Sequence, residues 1–189
     1  MVNFEEGLQK RFILLNSLRN NLRKNINQLF VSALKAFKND NKIILIGNGG
    51  SFSIAQHISA EFTGRFLSER KSLPSIVLGS NPSSLTAISN DYGYENSFCR
   101  ELSSLGNQGD ILIAMSISGK SRNILRSLEL ASSMNIESFF LTGDIYLENT
   151  DNFTHIPLAS NETDLVQETH FTILHELCKY IDQKYSIQK

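Results

Sequence analysis

The chain has 189 residues, 41% of them apolar, with 18 Lys plus Arg against 19 Asp plus Glu. That length supports one α/β domain with a full core, and the net charge of −1 gives no electrostatic reason to expect nucleic acid or an anionic membrane surface as partner. Any anionic ligand must be held locally, by backbone N–H groups and a few placed side chains. Cys99 and Cys178 form no CxxC pair, which argues against a disulfide framework or a thiolate zinc site. Met1 to Glu6 carries acid where a signal peptide needs base, and the longest apolar runs, such as Ile43 to Ile46, have only strand length. A soluble, cytoplasmic protein is the expectation.

Residues 3 to 38 place apolar side chains at Phe4, Leu8, Phe12, Leu15, Leu18, Leu22, Ile26, Leu29, Phe30 and Leu34, close to the helical period. The span predicts two helices with a break near Asn20-Asn21, lying outside the α/β core and packing on it or on a neighbouring subunit. From residue 42 the pattern changes. Lys42 to Ile46 reads as a buried strand, followed by a glycine-rich loop and a helix to about Phe66. Further strands are expected at Ser75 to Leu78, Asp110 to Met115, Glu137 to Leu141 and near Phe153 to Ile156. Helices are expected after Asn81-Pro82-Ser83-Ser84, where Asn or Ser can cap and Pro can open a helix, over Glu95 to Leu105, up to about Met134, and from Glu162 to Tyr185. This alternation predicts a parallel sheet with helices on both faces, in one domain spanning residues 1–189.

Two loops suit an anion. Gly47-Asn48-Gly49-Gly50-Ser51 follows a strand and opens a helix, so its glycines allow close backbone approach while the helix start aims N–H groups outward. Ser116-Ile117-Ser118-Gly119-Lys120-Ser121 stands in the same relation to the third strand and offers three hydroxyl donors. Neither matches the Walker pattern or a dinucleotide fingerprint. A small sugar phosphate fits better than a nucleotide.

For chemistry, His57 and Glu61 are spaced i, i+4 on the helix after the first loop, so they share one face. They could bind a divalent metal, or Glu61 could act as a general base beside an oriented imidazole; as a bare pattern they are equally a surface pair. Gln167, His170 and His175 lie on or near the last helix. His170 and His175, five apart, do not share a face, and His170 reads as a capping or supporting group. Gln167 and His175 are separated by about 12 Å of helical rise. Either Gln167 precedes the regular helix, or the site joins residues from two subunits.

Taken together, the segments GNGGS at 47–51, AQHISAEFTGR at 55–65, AISNDYG at 87–93, GDILIAMSISGKS at 109–121 and VQETHFTILH at 166–175 resemble the phosphoheptose isomerases, of the sugar isomerase (SIS) fold group, over nearly the whole length. The resemblance implies a three-layer flavodoxin-like fold with a five-stranded parallel sheet, and a homotetramer with active sites at subunit interfaces. It implies one zinc per subunit held by His57, Glu61, Gln167 and His175. It implies substrate contacts from Asn48, Gly49, Gly50, Ser51, Glu61, Asn90, Asp91, Ser116, Ile117, Ser118, Ser121 and Gln167, with Glu61 and His175 catalytic. The implied reaction converts sedoheptulose 7-phosphate to D-glycero-D-manno-heptose 7-phosphate, at the start of heptose supply for lipopolysaccharide, by moving a proton between C1 and C2.

The chain departs from the family pattern in three places. Ile117 stands where Thr is usual, removing one hydroxyl. Ser51-Phe52-Ser53-Ile54 replaces an acidic residue at the helix start, and Thr142-Gly143-Asp144-Ile145-Tyr146 replaces a glycine-rich stretch. The competing expectations are a non-catalytic SIS adaptor that binds the replication initiator, or an isomerase of another sugar phosphate. The adaptor lacks the equivalents of Glu61 and His175, and both are present here.

Overall fold

The computed structural model describes residues 3–19 and 22–185. Two helices open the chain, α1 (Phe4–Ser17) and α2 (Arg23–Lys38). The break expected at Asn20-Asn21 lies outside the described residues. There follow β1 (Ile43–Gly47), α3 (Gly50–Thr63), β2 (Ser75–Val77), α4 (Pro82–Tyr92), a 3₁₀ turn (Tyr94–Asn96) and α5 (Ser97–Leu105). The chain continues through β3 (Ile111–Ser116), α6 (Arg122–Ser133), β4 (Glu137–Thr142), β5 (Thr154–Pro157) and α7 (Thr163–Tyr185). Local chemistry sets several of these ends. Asn81 accepts hydrogen bonds from the N–H groups of Ser83 and Ser84, and Pro82 occupies the first turn of α4. Asn3 caps α1 in the same way through Glu5 N–H, with Glu5 and Glu6 complementing the helix dipole.

The five strands are all parallel, in the order β2-β1-β3-β4-β5. This is the flavodoxin-like order, and its direction reverses between β1 and β3. Alternate strand residues supply two cores. Ile43, Leu45, Ile111, Ile113, Met115, Phe139 and Leu141 face α2, α3 and α7; Ile44, Ile46, Leu112, Ala114 and Phe140 face α5 and α6. Both faces of the central strands are therefore dry, which is why β1 and β3 read as continuous apolar runs.

The N-terminal helices divide in a way their shared periodicity does not reveal. Contrary to the expectation that both stand outside the core, α2 buries Leu29, Ala33, Ala36 and Phe37 against the sheet and belongs to the helical layer. By contrast, α1 rests on α7 through Lys10 to Glu162 and Arg11 to Asp164 and Glu168. It leaves Phe4, Leu8, Phe12 and Ile13 exposed.

The buried ion pair of Arg70 and Asp182 joins α3 to α7. Arg70 Nε donates to Asp182 Oδ1 at 2.7 Å, and Asp182 Oδ2 accepts from the N–H groups of Leu67 and Ser68 at 2.7 and 2.9 Å. The remaining guanidinium donors reach the carbonyls of Glu61 at 2.6 Å and Phe62 at 2.9 Å. These belong to the end of α3, where carbonyls lack partners within the helix. Removing one member leaves a buried charge unpaired, so Asp182→Ala is expected to lower stability by about 3–5 kcal/mol. Urea unfolding checks this; a loss under about 1 kcal/mol, the range of an exposed pair, would count against it.

Candidate active site

The loops after β1 and β3 flank the point where the strand order reverses. In the first, Gly49 has φ +54°, a conformation that residues with a side chain rarely adopt. No side chain caps α3; the N–H groups of Ser51 and Phe52 turn back to the carbonyls of Asn48 and Gly49 and close the loop into a tight turn at the helix start. Gly50 has a second reason to be glycine, since a Cβ there would collide with the amide of Gln167. In the second loop, Ser116 Oγ lies 3.0 Å from Ser121 Oγ. Ser121 occupies the N-cap position of α6 while its hydroxyl makes no capping bond, leaving it available to a ligand. Asn48, Ser51, Ser116, Ile117, Ser118, Ser121 and Gln167 line one cavity of about 420 Å³, joined by Met115, Asn161 and Thr163.

Further along the seam between α3 and α7 lies a cluster of proton-handling groups. His57 Nε2 is 3.1 Å from Glu61 Oε1 and 3.4 Å from His175 Nε2. Phe66 stacks on His175 with the rings 12° from parallel, and Phe171 packs against both imidazoles. Burial, with His57 alongside, pushes His175 below the ordinary histidine range, so its ring is neutral near pH 7.

The resemblance to known proteins is measurable. A family model for the SIS domain matches residues 9–143. The phosphoheptose isomerase of Aliarcobacter butzleri is 43% identical over 155 residues, covering 82% of each chain. That of Helicobacter pylori strain P12 is 38% identical over 189 residues, covering 96% of this chain and 92% of the other. A solved phosphoheptose isomerase from Francisella tularensis superposes with a TM-score of 0.88 at 31% identity, over 95% of this chain and 96% of that one. The chain belongs to the phosphoheptose isomerase family.

Against that family's expected site, the arrangement within one chain is partly gathered. Asn48, Ser51, the second loop and Gln167 share the cavity, with Gly49 and Gly50 on the loop beside it. Asn90 and Asp91 are absent from the lining of that cavity; Asp91 instead lines a groove of about 880 Å³ that runs from α3 to α5. Gln167 does not precede the regular helix, because α7 begins at Thr163. Its amide lies against Gly50, two turns before His175, so the two side chains serve different parts of the seam. Ile117 is half-buried against the core beneath the loop. Sequence reading passed over Asn123 and Tyr94, which bond to Asn48, and Asn161 and Thr163 at the head of α7. Asn and Thr at a helix start were the available signal, but they were indistinguishable from capping residues.

The donor set beside Glu61 suits a metal in chemistry. Among the described residues no group of three His, Cys, Asp or Glu side chains is arranged so that it could hold a metal ion. The spacings around His57 Nε2, 3.1 and 3.4 Å, nevertheless match the roughly 3.3 Å between neighbouring ligands of a tetrahedral zinc. Two imidazole nitrogens and a carboxylate oxygen are also the ligand types zinc takes.

His170 plays a different part. It is wholly buried beneath β4, with Nε2 3.4 Å from Thr142 O and Nδ1 without a partner. Burial pushes it down to about 4. An unfolded histidine takes up its proton near pH 6.5, whereas folded His170 resists until about pH 4, so its contribution is complete above about pH 6.5 and falls away with acid. Between pH 7 and about pH 5 the wild type should lose about 2 kcal/mol more stability than His170→Gln. Parallel pH–stability curves for the two proteins would contradict this.

Proposed function

We propose that the chain is a cytoplasmic aldose–ketose isomerase converting sedoheptulose 7-phosphate to D-glycero-D-manno-heptose 7-phosphate, working as one SIS domain in a homotetramer. The observation that carries this reading is the cluster in which His57 Nε2 lies 3.1 Å from Glu61 Oε1 and 3.4 Å from His175 Nε2, with His57 and Glu61 on the helix whose first turn opens the phosphate-binding loop. Length supports a seven-carbon substrate. His57 lies about 10 Å along α3 from Gly50, and an extended seven-carbon chain holds C2 about 9 Å from its phosphorus.

In this reading the β1 and β3 loops bind the phosphate through backbone N–H groups and the hydroxyls of Ser116, Ser118 and Ser121. Gln167 and Asn48 orient the sugar chain. Glu61 takes the proton from C1 and returns it to C2, while neutral His175 gives a proton to O2 and receives one from O1, so the enediol forms and collapses without net change in protons. Phe66 and Phe171 fix the orientation of the imidazoles by packing against them. His57, Glu61 and His175 would hold zinc, which when bound would polarise the substrate's carbonyl oxygen as a Lewis acid, while Gln167 of the same chain stays with the cavity. The apolar face of α1, with Phe4, Leu8 and Phe12 exposed, supports a neighbouring subunit packing there. Asn90 and Asp91 would then reach substrate where subunits meet. The adaptor reading is disfavoured by the presence of Glu61 and His175 together; Ile117 leaves another sugar phosphate as the reading to test beside this one.

Glu61→Gln is expected to lower kcat by at least about 100-fold with the fold and assembly intact, and His175→Asn to do likewise. Proton exchange at C2 that continues at the wild-type rate in Glu61→Gln would reject the assigned base. Treatment with a chelator should abolish turnover of sedoheptulose 7-phosphate and zinc should restore it; turnover indifferent to chelation removes the metal from the mechanism.

A further inference from the structure

Asn48 is held by two residues that no motif in the sequence marks. Its Nδ2 donates to Asn123 Oδ1 at 3.1 Å, and Asn123 Nδ2 donates back to Asn48 Oδ1 at 3.0 Å. The Tyr94 hydroxyl donates to the same Asn48 Oδ1 at 2.7 Å. The three side chains come from three separate places, the β1–α3 loop, the first turn of α6 and the 3₁₀ turn before α5.

A backbone group sets the direction of the whole network. Ile124 N–H donates to Asn123 Oδ1 at 3.0 Å, and a backbone N–H can only donate. Asn123 must therefore turn its oxygen towards Ile124 and its amino group towards Asn48. That choice orients the Asn48 amide in turn and makes Tyr94 the donor. Asn48 Oδ1 then has two donors, and one Nδ2 hydrogen is spent on Asn123. The other Nδ2 hydrogen has no acceptor among the described residues, on a side chain that lines the 420 Å³ cavity. Asn123 itself is 3% exposed and absent from the lining, so it acts only through Asn48.

We propose that Asn123 is a positioning residue for the sugar-phosphate cavity: assisted by Tyr94, it locks the Asn48 carboxamide so that one N–H is offered to the ligand. The ligand must then place an oxygen acceptor there, from its phosphate or from its sugar chain. An unlocked amide could present its oxygen instead and repel that acceptor, so the lock belongs to ground-state binding rather than to proton transfer. The inference rests on the isomerase reading and adds to it a residue that never touches substrate.

Asn123→Leu tests it. The substitution is close in size and adds no charge, and Ile124 N–H keeps its bond to Ser121 O at 3.1 Å. With about 1 kcal/mol for each of the two hydrogen bonds to Asn48 that are lost, KM for sedoheptulose 7-phosphate should rise about thirtyfold while kcat stays within about twofold. Tyr94→Phe, at an exposed position that leaves folding intact, should raise KM by about fivefold. In an Asn48→Ala background, Asn123→Leu should add nothing further, because the residue it acts through is gone. Inhibition by inorganic phosphate separates the two acceptor sources: it weakens in Asn123→Leu if the N–H meets phosphate and is unchanged if it meets the sugar chain. A KM that stays at the wild-type value in both single variants overturns the proposal, as does an equal loss with Asn48 already removed. If the wild type binds the sugar phosphate without turning it over, the isomerase reading fails alone, and calorimetric affinities of the same variants decide the lock.

Discussion

The arrangement depends first on the Arg70–Asp182 ion pair. The proton-handling groups stand on two helices distant in sequence, His57 and Glu61 on α3 and His175 on α7. Apolar packing brings those helices together, but it is non-directional and tolerates sliding. Arg70 removes that freedom. It takes the carbonyls of Glu61 and Phe62 at the end of α3, and through Asp182 it is fastened to α7. The spacing of about 3 Å between His57, Glu61 and His175 is thus held by charged, directional bonds in a dry environment, where they are strongest.

The second constraint is the sheet. A parallel order of β2-β1-β3-β4-β5 sends the chain to opposite sides after β1, and the crevice left at that reversal is where the loops after β1 and β3 open. The loop that opens α3 and the hydroxyls at the start of α6 then line one cavity, without any excess of basic residues. This accounts for a chain with a net charge of −1 being able to hold an anion. The same α3 that opens the phosphate loop carries His57 and Glu61 two and three turns further on, so binding and proton transfer are spaced by a rigid element.

Much of this was legible beforehand. The strands were marked by short apolar runs, the cap of α4 by Asn81-Pro82, and the two loops by glycine and serine between strand and helix. Sharing of a face by His57 and Glu61 follows from their spacing of four. What escaped had no periodic or compositional mark. The α2 helix has the same amphipathic pattern whether it lies outside the core or within its helical layer. The eight-residue gap between Gln167 and His175 carried no sign of what each would meet; within one chain, α7 lends Gln167 to the cavity and His175 to His57. Asn123, Tyr94, Arg70 and Asp182 were ordinary polar residues until the fold set them against Asn48 and the end of α3.

By itself the sequence determined the alternation of strands and helices, the two anion-ready loops and the pairing of an imidazole with a carboxylate on one helical face. Each of these is local, set by side-chain period, by glycine's backbone freedom or by a spacing of four. Tertiary structure alone decided that His175 joins that pair, that the Gln167 amide lies against Gly50, and that Asn48 is locked by residues 46 and 75 positions away. Those contacts join segments whose separation along the chain carries no pattern. They exist because the parallel sheet, with crossovers on both faces, brings loop ends together that only the folded chain makes neighbours.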